Sequence, residues 1–173
     1  MDKKGKPLMN LKLEAKEEYK KKNYEKAVEL YEQLYNDYPE DSDNWDSILY
    51  GWSLYYVYIK NIDNEKVEDV VELITNLTKQ ENKSTKDRAC VFTLSVLKII
   101  DYSFKSNNFE QTIYWTDKLN PNFLSNRNFK YTDNTGTKRK HPSDKEKWYV
   151  QRSKALYEHG DFGHCKISMD FHK

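Results

Sequence analysis

Apolar residues recur every three to four positions along much of the chain, the period of helices that bury one side. The clearest run is Asn23 to Pro39, NYEKAVELYEQLYNDYP. In it Tyr24 follows a polar turn, Ala27 is small enough for two helices to approach closely, Tyr31 returns to the same face four residues on, and Pro39 stops the helix. Upstream, Pro7 to Lys22 reads as a first helix with Leu11 and Ala15 facing inward. Downstream, Trp45-x2-Ile48-Leu49-x2-Trp52 opens a helix expected from Asn44 to about Lys60, followed by another from Glu65 to Lys79. Tyr50, Trp52, Tyr55, Tyr56 and Tyr58 cover more than one face of the longer helix. Packing on both sides explains them before an aromatic ligand pocket does.

A spacing repeats. Leu11 lies 16 residues before Ala27, Val96 lies 16 before Thr112 across the turn SNNFEQ with its Phe109, and Tyr149 lies 16 before Cys165 across HGDFGHC with its Phe162 and with Met169 four residues beyond. Trp45 to Val70 is longer, at 25 residues, and the surplus is assigned to the longer first helix. The Ala27-x3-Tyr31 pair with terminal Pro39, followed by the Trp45 motif with two apolar replacements, resembles the tetratricopeptide (TPR) repeat in one continuous register of roughly 34 residues. The resemblance is best in repeat one and weakest in repeats three and four. It implies an all-α fold: a TPR-like α-α superhelix of about four antiparallel helix pairs forming a single domain over 1–173, with repeat one at 7–39, repeat two at 43–80, repeat three at 86–119 and repeat four at 144–173. Each pair alone exposes an apolar flank that the next pair covers. Such a superhelix implies a concave groove, lined by first helices, that receives a peptide or partner helix.

Between residues 121 and 143 the helical period disappears. Asn-Pro, Thr-Gly and His-Pro punctuate the segment. Phe129, Tyr131 and the basic run Lys138, Arg139, Lys140 flank Thr-Asp-Asn-Thr-Gly, which predicts a loop or short β-hairpin turning near Asn134 to Gly136. This insert is either a solvated connector or a contact for an acidic partner, a nucleic-acid backbone included.

Composition narrows the function classes. Charged residues make up 33% and hydrophobic ones 37%, but an aromatic share of 14% argues for order. Only 5 Gly and 4 Pro favour helices over a sheet. With 29 Lys and Arg against 28 Asp and Glu, the net charge of +1 gives no molecule-wide field for nucleic acid. The absence of a long apolar run leads us to expect a cytoplasmic protein with no membrane partner. Cys90 and Cys165 form no CxxC, which suits a reducing compartment.

The resemblance implies groove residues from the first helices: Lys12, Lys16 and Tyr19, then Tyr50, Phe104, Lys154 and Tyr157. Amines and phenols would suit an acidic or carboxylate-bearing peptide; the alternative is that Lys12, Lys16 and Lys20 are an ordinary solvated face. Lys16 and Ser47 stand where the family's chaperone-tail clamp has asparagines, which argues against chaperone tails. His159, His164, Cys165 and His172 lack metal-ligand spacing, so no metal is expected. No nucleophile, phosphate-cradling or metalloprotease motif is present, so no enzyme and no cofactor are expected. The expected function is a non-catalytic scaffold for an unidentified protein or peptide. The alternatives are an accessory nucleic-acid module using the basic insert, or the N-terminal interaction region of a larger multidomain protein. Repeat four stops at Lys173 without a polar capping helix, so self-association through that open end is a further expectation.

Overall fold

The computed structural model describes residues 6–61, 66–78 and 90–160. These residues are mostly helical, with one small two-stranded hairpin. No helix among them is long and apolar enough to cross a membrane. The chain divides into two compact units, Met1–Asn82 and Lys83–Lys173, with the break between the segments expected as the second and third repeats.

In the first unit, α1 (Leu8–Lys20) and α2 (Tyr24–Asp37) are joined by a three-residue turn. Lys22 adopts a left-handed φ of 64°, and the Asn23 N–H donates to the Glu18 carbonyl at 2.9 Å. That bond satisfies a carbonyl the helix end would otherwise leave bare and reverses the chain. The two helices meet through buried Leu11, Ala15, Ala27, Val28, Tyr31 and Leu34. Ala27 sits fully buried where the sequence called for a small side chain.

α3 (Asn44–Leu54) starts at a capping box in which Asp43 and Asp46 each accept the other's backbone N–H at 3.0 Å. It continues as a wider π-helical segment, Tyr55–Ile59, where the Lys60 N–H reaches the Tyr55 carbonyl at 2.8 Å. The helix therefore runs from Asn44 to Ile59, close to the expected span. The wide turn holds one extra residue, and burial passes from Tyr50 and Leu54 to Tyr55 and Ile59 across it. α4 (Val67–Leu77) packs on α3, burying Val67, Val71 and Ile74.

The second unit repeats the first motif. α5 (Val91–Lys105) and α6 (Phe109–Asp117) turn through Asn107 at φ 57°, with the Asn108 N–H on the Ser103 carbonyl at 2.8 Å. α7 (Asp144–Glu158) opens on a Ser143/Glu146 capping box and is followed by Gly160 at φ 86°. Lys22, Asn107 and Gly160 each lie eleven residues after Leu11, Val96 and Tyr149, the inward positions read from the sequence. α7 is fastened to α6 by the Trp148 indole N–H, which donates to the Thr116 carbonyl at 3.1 Å, and by Arg152, which donates to the Thr116 hydroxyl at 2.8 Å and pairs with Asp117.

Between α6 and α7 lie a 3-10 turn, Pro121–Phe123, and the antiparallel hairpin of β1 (Phe129–Thr132) and β2 (Lys138–His141). The sequence expectation of a hairpin holds. The second helix of repeat four, with Phe162, His164, Cys165, Met169 and His172, and the open C-terminal end lie outside the described residues.

Candidate functional site

An open cleft of about 490 Å³ lies between α1 and α3. Met9 and Leu13 from α1 and Trp45 and Leu49 from α3 give it apolar walls. Met9 is 69% exposed, Leu13 55% and Trp45 69%. Three large apolar side chains left in water around one concavity form a patch, where scattered single exposures would be unremarkable.

The rim is polar but mostly committed. Lys12 bonds Asp46 at 2.8 Å and lies 3.7 Å from Asp43, and the Asp46 bond holds its ammonium above the ordinary lysine value against the opposing effect of burial. Lys12 therefore braces the α3 cap and offers no free charge. Lys20 pairs with Glu17 at 3.2 Å. Lys16 is exposed and has no hydrogen bond or ion pair among the described residues. Tyr19 stacks edge-on against Tyr24 at 5.6 Å, and burial raises its phenol above the ordinary value. Lys12, Lys16 and Tyr19 thus all line this cleft, and Lys16 is the cation among them without an ion pair among the described residues.

Tyr50 is not at the cleft. It is 3% exposed and sits between the Tyr31 and Tyr35 rings, at 5.6 and 5.4 Å. Its side of α3 faces α2, where Tyr35 and Ser47 also share a hydrogen bond of 2.6 Å. The sequence reading missed Met9, Leu13 and Trp45 as lining residues, because groove positions were carried over from the family pattern. Their signal was apolar side chains off the buried stripe of each helix.

In the second unit Phe104 and Lys154 meet each other: the Lys154 ammonium lies 5.6 Å from the Phe104 ring centre, and Phe104 packs on Phe109. Tyr157 is exposed on α7. The position matching Lys16 in the repeated motif is Asp101, and it is half-buried and paired. It accepts from Lys105 at 2.7 Å and from Gln151 at 3.0 Å, with Lys147 at 3.6 Å. Burial opposes ionisation there, but these partners hold the carboxyl below its ordinary value. The α5–α7 face is therefore crossed by polar bonds where the α1–α3 face is open.

The hairpin is the other exposed feature. Both strands are exposed along their whole length. Asp133 anchors the loop, accepting from the Thr135 hydroxyl at 2.6 Å and from the Thr135 and Thr137 N–H groups at 2.9 and 3.0 Å, and pairing with Arg139. These bonds pull its pKa down to about 2. Tyr131 stacks on His141 at 4.3 Å, and Phe129 is 72% exposed. Lys138 and Lys140 have no ion pair among the described residues, whereas Arg139 is committed to Asp133. Lys130 and His141, absent from the sequence expectation, join the cluster through strand register.

No group of His, Cys, Asp or Glu able to hold a metal occurs among the described residues. Comparison with protein-family models, curated proteins and solved structures yields no match, so the functional reading rests on the geometry of these two exposed features.

Proposed function

We propose that the chain is a TPR-like, non-catalytic scaffold that holds a peptide or partner helix in the α1–α3 cleft. The observation that carries this reading is the exposure of Met9, Leu13 and Trp45 around one concavity. Removing such a patch from water on binding is favourable at roughly 25 cal/mol per Å². The left-handed residue that follows α1, α5 and α7 at the same interval from each inward position supports the TPR-like reading of those helices. Lys16, the unpaired charge beside the apolar walls, favours a ligand that sets an acidic residue next to an aromatic or aliphatic anchor. Placement in the reducing cytoplasm belongs to the same reading, since buried Cys90 is a free thiol.

Selection of a displayed random-peptide library on the immobilised protein tests it. The expected outcome is a shared motif of an apolar anchor beside Asp or Glu. Trp45→Ala should weaken the selected peptides by about 30-fold, the scale of a central aromatic anchor, and Lys16→Glu by about 5-fold. Both variants should keep the far-UV circular dichroism of the parent. Peptides that bind both variants as tightly as the parent would remove the cleft from the account.

A further inference from the structure

The hairpin register separates two chemistries. Lys130 lies opposite Lys140 and Thr132 opposite Lys138, while Phe129 lies opposite His141 and Tyr131 opposite Arg139. Successive side chains on a strand alternate between faces, so Lys130, Lys138, Lys140 and Thr132 share one face, and Phe129, Tyr131, Arg139 and His141 share the other. Like charges directly opposed across two strands destabilise the pairing. The strands contain no carboxylate to offset them, and the loop's Asp133 is occupied by Arg139 and the turn. Lys130, Lys138 and Lys140 have no hydrogen bond or ion pair among the described residues. Backbone pairing thus fixes three uncompensated ammonium groups in one patch, with Lys138 and Lys140 about 7 Å apart along the strand.

We propose that this hairpin is a contact site for single-stranded nucleic acid, with the lysine face on phosphates and the aromatic face against bases. The hairpin belongs to the second unit and the α1–α3 cleft to the first, and the proposal does not rest on what occupies the cleft. An acidic peptide would satisfy the lysines and leave the aromatic face without a purpose. A duplex keeps its bases stacked inside, out of reach of that face. A single strand can lay its backbone along the lysines and turn a base over the edge of this two-stranded ribbon, against Phe129 or the outer side of the Tyr131–His141 stack. Arg139, on the same face by register, is held by Asp133 and is not counted among the free cations.

Fluorescence anisotropy with labelled twelve-residue oligothymidylate and oligouridylate, using the whole protein, tests the proposal. Three phosphate contacts predict about 20-fold weaker binding at 200 mM than at 50 mM salt. Replacing Lys130, Lys138 and Lys140 together by alanine should remove most of that salt dependence. Phe129→Ala should weaken binding about 10-fold and leave the salt dependence unchanged, because stacking carries no counterion release. The lysine replacements relieve opposed charges, and unchanged circular dichroism with an unmoved Gly136 amide resonance would confirm that the turn is intact. No binding at 50 mM salt, or equal binding of a duplex or of polyglutamate, would overturn the proposal.

Discussion

Tyr31 shows how costly a well-packed residue can be. Its side chain is fully buried, its hydroxyl has no hydrogen-bond partner among the described residues, and burial holds the phenol well above its ordinary value. An unsatisfied buried hydroxyl costs about 1–3 kcal/mol, so Tyr31→Phe should stabilise the protein by about 1 kcal/mol, read as a higher urea midpoint at unchanged slope. A lower midpoint would mean that the hydroxyl is satisfied after all. The packing role of this position was legible in the sequence, since Ala27 and Tyr31 share a face four residues apart and both are buried. Tyr50 was harder to place. It lies five residues beyond Trp45, about 140° around the helix, and the tyrosine faces the interior while the tryptophan faces water. In a run this rich in aromatics, composition does not separate the two faces, and only the position of α2 decides between them.

At the scale of elements, the turns at Asn107 and Gly160 were readable because those residue types suit a left-handed conformation, whereas Lys22 carries no such signal. Lys22 and Asn107 both adopt that conformation without being glycine. A side chain at such a φ costs about 1–2 kcal/mol, less for asparagine, and glycine returns part of the gain as unfolded-chain entropy. Lys22→Gly should therefore raise stability by about 0.5–1 kcal/mol, whereas Asn107→Gly should leave it nearly unchanged. Thermal unfolding of the two variants side by side measures the difference, and equal shifts would contradict it. The hairpin was legible from its Gly and Pro punctuation, but its strand register was not. A one-residue slip exchanges the faces of every side chain, and the bonds from Asp133 that fix the loop join atoms no linear pattern orders. That is why Lys130 was missed.

For the molecule as a whole, positive and negative charges nearly balance, and acid is the condition that upsets the balance. Asp133 and Asp101 both have pKa values below the ordinary 3.8. A depressed carboxyl contributes stability that is complete above its ordinary value and is lost as the pH falls toward its folded value. Ellipticity followed from pH 7 to pH 2 should hold until about pH 4 and then begin to fall. Asp101→Asn should be less stable than the parent at pH 7 and close to it at pH 2; a constant gap across the range would show that the Lys105 and Lys147 partners contribute nothing through charge. The 16-residue spacing made the α1–α2 and α5–α6 pairs legible. The division into two units was not, because no Gly- or Pro-rich linker separates them. The wide turn at Tyr55–Ile59 also left no mark in the sequence, since aromatic side chains suit its geometry and a regular helix equally well. It bears on how this chain tolerates changes of length. Deleting one amino acid there would let the hydrogen bonds tighten to ordinary spacing and leave the preceding helix in phase, whereas the same deletion between Asn44 and Leu54 would turn one part of that helix about 100° against the rest.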